Sequence, residues 1–333
     1  MLRLIVRRSF AAALRSAECA ACHGRSEPYP PAGGTPRKGA SGAPNVLVRD
    51  PVPTVGRGSA GLERLTRVSP MTDTQLRVDR PSDGVVLLTL DNPAQRNAMS
   101  APLTEAWTAT MADLAADRDV RAVVVTGEGT AFCSGGDPRW IAGEPDAPVH
   151  RLRERMLGFY RAWLAIRALE VPTVAAINGP AVGAGLCLAL ACDIRYAAES
   201  ARMSVPFVKL GMHAGMAATY TLPNVVGEAR ARELLLTGRM VGAEEASRIG
   251  LVTSVIPDET FLDTVLESAA GIAATAPIAS RLTKVALRDG GHADFESAIE
   301  WEALAQPVTL ATEDLQEGVR ASREKRAPRF QGR

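Results

Sequence analysis

An α/β fold with a helical C-terminal part is predicted by three observations. Short apolar runs at residues 84–90, 122–125 and 172–177 have the length and β-branched content of buried strands. Helical spacing lies between successive runs, which is the pattern of parallel strands joined by crossovers. Beyond Gly215 the strand pattern gives way to apolar positions at helical spacing.

Taken in order, the run at 84–90 (G-V-V-L-L-T-L) is a strand closed by the turn Asp91-Asn92-Pro93. Ser100 is placed to cap a helix running to about Ala116, with Pro102 tolerated in its first turn. The strand at 122–125 follows, completing a right-handed parallel crossover. A helix over 151–169 leads to the strand at 172–177, and 193–196 and 202–204 supply further short strand segments. Helices are expected over 229–236, 243–248, 260–274, 278–288 and 295–311.

The centre of this arrangement is Val174 to Asp193, V-A-A-I-N-G-P-A-V-G-A-G-L-C-L-A-L-A-C-D, a strand, a glycine-rich turn and a helix. A helix entered through such a turn presents unpaired N–H groups and the positive end of its dipole at one point. That point suits either a phosphate or a developing oxyanion. The spacing G-x-x-x-G-x-G is neither a dinucleotide fingerprint nor a Walker loop, and no lysine follows it, which favours the oxyanion. Thr126 to Asp137 (T-G-E-G-T-A-F-C-S-G-G-D) ends the preceding strand in a second glycine-rich loop that can offer another backbone N–H.

The pairing of A-F-C-S-G-G-D with I-N-G-P-A-V-G-A-G-L-C-L-A-L-A-C-D-I resembles the crotonase, or enoyl-CoA hydratase/isomerase, superfamily. The likeness runs from about Leu76 to the closing E-G-V-R-A-S-R-E-K-R-A-P-R-F. It implies a crotonase-like ββα superhelix core over residues 71–265 and a C-terminal helical trimerisation region over 266–333, in a homotrimer or dimer of trimers. It also implies an acyl-CoA substrate and no other cofactor or metal.

By the same resemblance, one oxyanion N–H comes from Gly136 and the other from Ala184, flanked by Gly135, Asp137 and Gly183. Alanine at 184 departs from the commoner triple glycine but keeps the backbone donor. Fixed dipoles stabilise charge on a thioester oxygen without reorganising, and one such donor contributes about 3–4 kcal/mol of barrier lowering. Hydratases of the family carry a glutamate three residues after the middle of the triplet and another just after a proline about twenty residues on. Cys187 and Phe207 stand there, so both carboxylates are missing. A thiol is a poor carboxylate substitute unless a cation lowers its pKa, and a phenylalanine exchanges no protons. His213, on the loop after Phe207, is the candidate acid–base residue, the alternative being a histidine that bonds its own loop backbone. Asp137 and Asp193 are read as structural anchors, Trp140 as pocket wall or surface cover, and Arg139 as a contact for a polar acyl group or CoA. Arg96, Asn97 and Ala98 match the segment that receives adenine and pantetheine, and Lys284 and Lys325 fall where basic residues approach CoA phosphates. The alternative to an enzyme is a catalytically silent acyl-CoA-binding trimer.

Residues 1–70 stand apart, rich in Arg, Ala, Gly, Pro and Ser and without periodicity. The first 15 suit an Arg-rich targeting sequence, whereas Met71-Thr-Asp-Thr reads as a natural start that makes the first 70 an upstream extension. The second reading is preferred because the family resemblance begins just after Met71. Cys19-Ala-Ala-Cys22-His23 in this stretch matches a c-type haem attachment pattern, but with no apolar core around it the match is read as chance. The 333 residues carry a net charge of +1, which argues against an extensive nucleic-acid surface. No apolar run reaches membrane-spanning length. Five unevenly placed cysteines point to a reducing compartment and a cytoplasmic protein rather than a disulfide framework.

Overall fold

A computed structural model describes residues 75–288 and 291–333. They fall within one compact unit, Val68–Arg333. The expectations for residues 1–70, the targeting sequence and the Cys-x-x-Cys-His included, lie outside the described residues.

A six-stranded sheet in the order β1-β2-β3-β4-β6-β9 forms the base of the fold. Its strands are β1 (Leu76–Ser82), β2 (Val85–Leu90), β3 (Ala122–Gly127), β4 (Thr173–Ile177), β6 (Ile194–Ala198) and β9 (Ser254–Ile256). β1 and β2 are antiparallel and every later pairing is parallel, in the register Val86↔Val123, Val124↔Val174 and Val174↔Ile194. Every residue of β2, β3 and β4 is buried, as continuous apolar runs require when both sheet faces are covered. The hairpin strand β1 has no counterpart in the sequence reading. Of its seven residues only Leu76 is buried, so it lacks the alternation that marks a strand.

Ser100 caps helix α1 (Ala101–Ala116) by accepting from the Leu103 N–H, with Pro102 in the first turn as expected. A single turn, α2 (Pro138–Ile141), precedes α3 (Val149–Trp163), which ends where a 3-10 segment takes over rather than running on to residue 169. α3 packs on α1, where Trp107 and Trp163 stack with ring centroids 5.0 Å apart. α4 (Ala184–Ala191) is buried along its whole length. α5 (Ala218–Val226) packs against α4, and α6 (Glu228–Thr237) follows it. The sequence reading has no helix at α5, where Pro223 interrupts the pattern. Three short strands, β5 (Ala181–Val182), β7 (Arg202–Ser204) and β8 (Val241–Gly242), pair in a second sheet.

Helices α7 (Ala243–Arg248), α8 (Phe261–Ala273), α9 (Pro277–Leu287), α10 (Phe295–Leu310) and α11 (Glu313–Glu324) complete the chain. The first four match the expected helical segments to within a residue or two. α8 runs unbroken through the expected boundary at residue 265 and packs on β2, β3, β4 and β6, so it belongs to the core. Among the described residues no helix is long and apolar enough to cross a membrane.

Candidate active site

β3 and β4 are parallel neighbours, and the loops leaving their carboxyl ends emerge side by side. In open α/β sheets this is where ligands bind. Side chains fix the loops as they leave the sheet. Asn178 Nδ2 donates to the carbonyls of Gly127 at 2.8 Å and Gly129 at 3.0 Å, while its Oδ1 accepts from the Gly127 N–H at 3.2 Å. Further out a two-bond ladder zips them together: Cys133 N–H donates to Pro180 O at 3.2 Å, and Val182 N–H donates to Cys133 O at 2.9 Å. Two glycines permit so close an approach. A Cβ on Gly179 would lie 2.2 Å from Thr130 O, and one on Gly185 would lie 2.2 Å from Cys133 O.

This zipper brings the two expected donors together. The Gly135 backbone has φ +101°, and a Cβ there would lie 2.8 Å from Val182 O and 3.4 Å from Ala184 N. Gly183, with φ 56° and ψ −118°, turns the chain into α4, making Ala184 its first residue. Neighbouring amides are spent on structure: Gly183 N–H donates to Ser204 O at 2.8 Å, and Met99 N–H binds Gly135 O at 2.8 Å. The Gly136 and Ala184 N–H groups have no acceptor among the described residues. Two unengaged amides from two loops, one at a helix N-terminus, therefore stand next to each other.

The surroundings are apolar. Ile141 Cδ1 lies 3.1 Å and Phe159 Cζ 3.9 Å from where a Cβ on Gly136 would stand, and the Phe207 ring edge lies 3.9 Å from the same point on Gly183. Trp140 packs on Phe159 with ring centroids 4.9 Å apart and planes tilted by 31°, and the Arg155 guanidinium lies 4.8 Å from its ring centroid. Cys187 is buried, its thiol 3.8 Å from Gly215 O, and burial pushes that thiol up to about 12. It is a neutral group at physiological pH, neither base nor nucleophile. Among the described residues no cluster of His, Cys, Asp and Glu is arranged to hold a metal ion.

His213 is exposed, and its Nδ1–H donates to Ala214 O at 2.7 Å. The ring is thereby held on its own loop. One residue that sequence reasoning missed does face this region. Tyr160, half-buried on α3 beside Phe159, brings its hydroxyl to 2.5 Å from where a Cβ on Gly215 would stand. Burial, and secondarily Cys187, raise its pKa. Nothing in the sequence marks it, because mid-helix aromatics are ordinary core residues.

The residues expected to receive CoA divide sharply. Asn97 is fully buried, donating to Glu128 O at 3.0 Å and Ala131 O at 2.7 Å and accepting from Asn92 N–H at 2.9 Å, so its side chain braces the loop after β3. Asn97 has φ 57° and the exposed Arg96 φ 51°, so the strap over 92–99 curls back, and Arg96 O accepts from Ser134 N–H at 2.9 Å. Ala98 is buried within that strap. Asp137 caps α2 and pairs with Arg139 at 2.9 Å, which lowers its pKa, while Arg139 also reaches Gln95 Oε1 at 3.3 Å. Lys284 corrects the expectation of a phosphate contact. It is buried, with its ammonium 2.8 Å from both Asp193 Oδ2 and Val171 O, a pairing that consumes its charge inside the fold. Asp193 is the structural anchor expected, accepting also from Thr173 N–H at 2.7 Å. Lys325 is exposed at the end of α11 with φ 55°.

Amides without an acceptor at the carboxyl end of a parallel sheet are donors of the kind that can hold an anionic or carbonyl oxygen. Residues 80–333 match the family described as Enoyl-CoA hydratase/isomerase. A Mycobacterium leprae protein named probable enoyl-CoA hydratase echA12 is 39% identical over 257 residues, covering 75% of this chain and 87% of that protein. The crystal structure of an enoyl-CoA hydratase from Bacillus anthracis superposes with a TM-score of 0.74 at 34% identity, covering 78% of this chain and 100% of that one. That of an enoyl-CoA hydratase from Mycobacterium smegmatis gives 0.71 at 31% identity, covering 77% and 98%. The chain belongs to the enoyl-CoA hydratase/isomerase family and has its crotonase fold, the fold and chemistry of acyl-CoA enzymes of the lyase and isomerase kind.

Proposed function

We propose that the protein acts on a CoA thioester through an enolate whose oxygen is held by the Gly136 and Ala184 amides, and that it forms this enolate without a carboxylate base. The observation that carries the reading is the pair of unengaged amides beside the Phe207 ring, with the buried Cys187 thiol in the first turn of α4. Water addition to an enoyl-CoA needs a group to activate the water and another to protonate the α-carbon. Here the equivalent positions hold a neutral thiol and a hydrocarbon ring.

A 2-carboxyacyl-CoA supplies what is lacking. Loss of CO2 leaves the bonding electron pair on the substrate and generates the enolate directly, so no base has to remove an α-proton. Ile141, Phe159 and Phe207 would strip water from the departing carboxylate, which favours conversion of a charged group to neutral CO2. Both amides then act on charge that develops only in the transition state. Chemistry of this kind fits these residues better than hydration does.

A panel of CoA thioesters tests this. CO2 release from a 2-carboxyacyl-CoA is expected to exceed hydration of a 2-enoyl-CoA by on the order of 1,000-fold, the share that positioned acid–base groups contribute. Hydration as the fastest reaction would overturn the reading. Tight acyl-CoA binding with no turnover on any thioester would favour a binding protein instead.

A further inference from the structure

An enolate left by decarboxylation still has to be protonated at its α-carbon, and the site as described offers few groups that can do it. Cys187 is buried, Phe207 has no exchangeable proton, and the His213 ring is tied to its own loop. The Tyr160 hydroxyl is different. It makes no hydrogen bond among the described residues, yet it is not sealed from solvent as the buried unpartnered polar atoms are. A hydroxyl with a proton to give and no partner within the fold is poised for a ligand.

Its placement is specific. Phe159 and Tyr160 are consecutive on α3, and Phe159 lies against the Gly136 donor. The Tyr160 hydroxyl occupies a notch that exists only because residue 215 is glycine, since a Cβ there would stand 2.5 Å from it. The Gly215 carbonyl is in turn 3.8 Å from Cys187 Sγ, on the first buried turn of α4 that Ala184 begins. Tyr160 thus reaches the residue standing where a hydratase carries its first carboxylate.

We propose that Tyr160 is the proton donor of this site, delivering its hydroxyl proton to the α-carbon of the enolate held by Gly136 and Ala184. The inference rests on the enolate reading above. In the first step the bond from the α-carbon to the carboxylate carbon breaks, CO2 leaves, and the electron pair moves onto the thioester oxygen. In the second the pair returns to the α-carbon as the new C–H bond forms and the Tyr160 O–H bond breaks. The phenolate regains its proton from solvent water. A thioester enolate is a far stronger base than a phenolate, so the transfer runs downhill, and the raised pKa keeps the phenol loaded at neutral pH.

Two variants test this in D2O with a 2-carboxyacyl-CoA that bears one further α-substituent. Tyr160→Phe removes the proton, and Gly215→Ala keeps it while displacing the hydroxyl. Wild type should place deuterium at the α-carbon in a single configuration. Both variants should lose about 100-fold in kcat with KM within about threefold, and give mixed configurations as water takes over protonation. Wild-type kcat and a single configuration in both would overturn the proposal. Should wild type release CO2 from no such thioester, the enolate reading itself fails, and propionyl-CoA binding then decides for Tyr160. About fivefold weaker binding by Tyr160→Phe would uphold a contact with the acyl end, and equal affinity would end it.

Discussion

The two halves of the site are built from different materials. The half proposed to hold the oxyanion is main chain: amides of Gly136 and Ala184, fixed by a ladder through Cys133 and Val182 and by the Asn97 and Asn178 side chains behind it. The half proposed to handle protons is side chain: Cys187 and Phe207 stand where the family resemblance expects acids, and the Tyr160 hydroxyl approaches from a different helix, against Gly215. A backbone donor survives substitution as long as the turn holds its shape, so the first half tolerates alanine at 184. A proton donor is lost with a single side chain, so the second half is where members of one fold diverge in reaction.

The largest effect should come from breaking the main-chain half at its tightest point. Gly185→Ala places a methyl 2.2 Å from Cys133 O and 2.8 Å from the Cys133 carbonyl carbon, so backbone rather than a pliable side chain has to move. The expected cost is about 3 kcal/mol or more, read as a lowered denaturant midpoint and accompanied by loss of turnover. Unchanged stability would mean that the two loops are not locked together and that the contrast between the halves is false.

A smaller effect sharpens the other side. Burial raises the Cys187 pKa to about 12, against about 8.5 for an ordinary thiol. In the folded protein the thiol stays protonated while in the unfolded chain it ionises, so the unfolded state binds fewer protons between those values. Stability supplied by the neutral thiol is complete below about pH 8.5 and is lost as pH rises toward 12, by about 1.4 kcal/mol per pH unit. Cys187→Ala should therefore show a shallower decline in unfolding free energy between pH 9 and about 11. An identical slope would mean that the thiol titrates freely and remains available for chemistry.

The main-chain half was also the more legible in the sequence. An apolar run stopped by Asn178-Gly179-Pro180 and restarted after Gly183-Ala184-Gly185 dictates a strand, a tight turn and a helix, and these are β4, the connection that holds the two-residue strand β5, and α4. Backbone function leaves such traces because glycine positions record close approach. Tyr160 left none, since its role depends on a notch at Gly215, 55 residues away in the chain, that no spacing rule connects to it. Lys284 misled for the opposite reason. A basic residue on a helix suggests a solvent-facing charge, and only the fold reveals Asp193 waiting beneath it. The hairpin strand β1 was hidden by its own edge position, where charged residues such as Arg77, Asp79 and Arg80 guard against further pairing.

The smallest expected effect concerns His213. Its Nδ1–H is committed to Ala214 O on an exposed loop, so removing the ring deletes one solvent-competed hydrogen bond, worth about 0.5–1 kcal/mol, and no group that reaches the enolate. His213→Ala is accordingly expected to leave kcat within about twofold of wild type across the CoA-thioester panel. A fall on the order of 100-fold or more would mark His213 as a positioned acid or base. Its loop would then have to close over the ligand, and proton transfer would pass from α3 to the segment after Phe207. The site would still divide into a main-chain half and a side-chain half, but Tyr160 would no longer be the residue that defines the second.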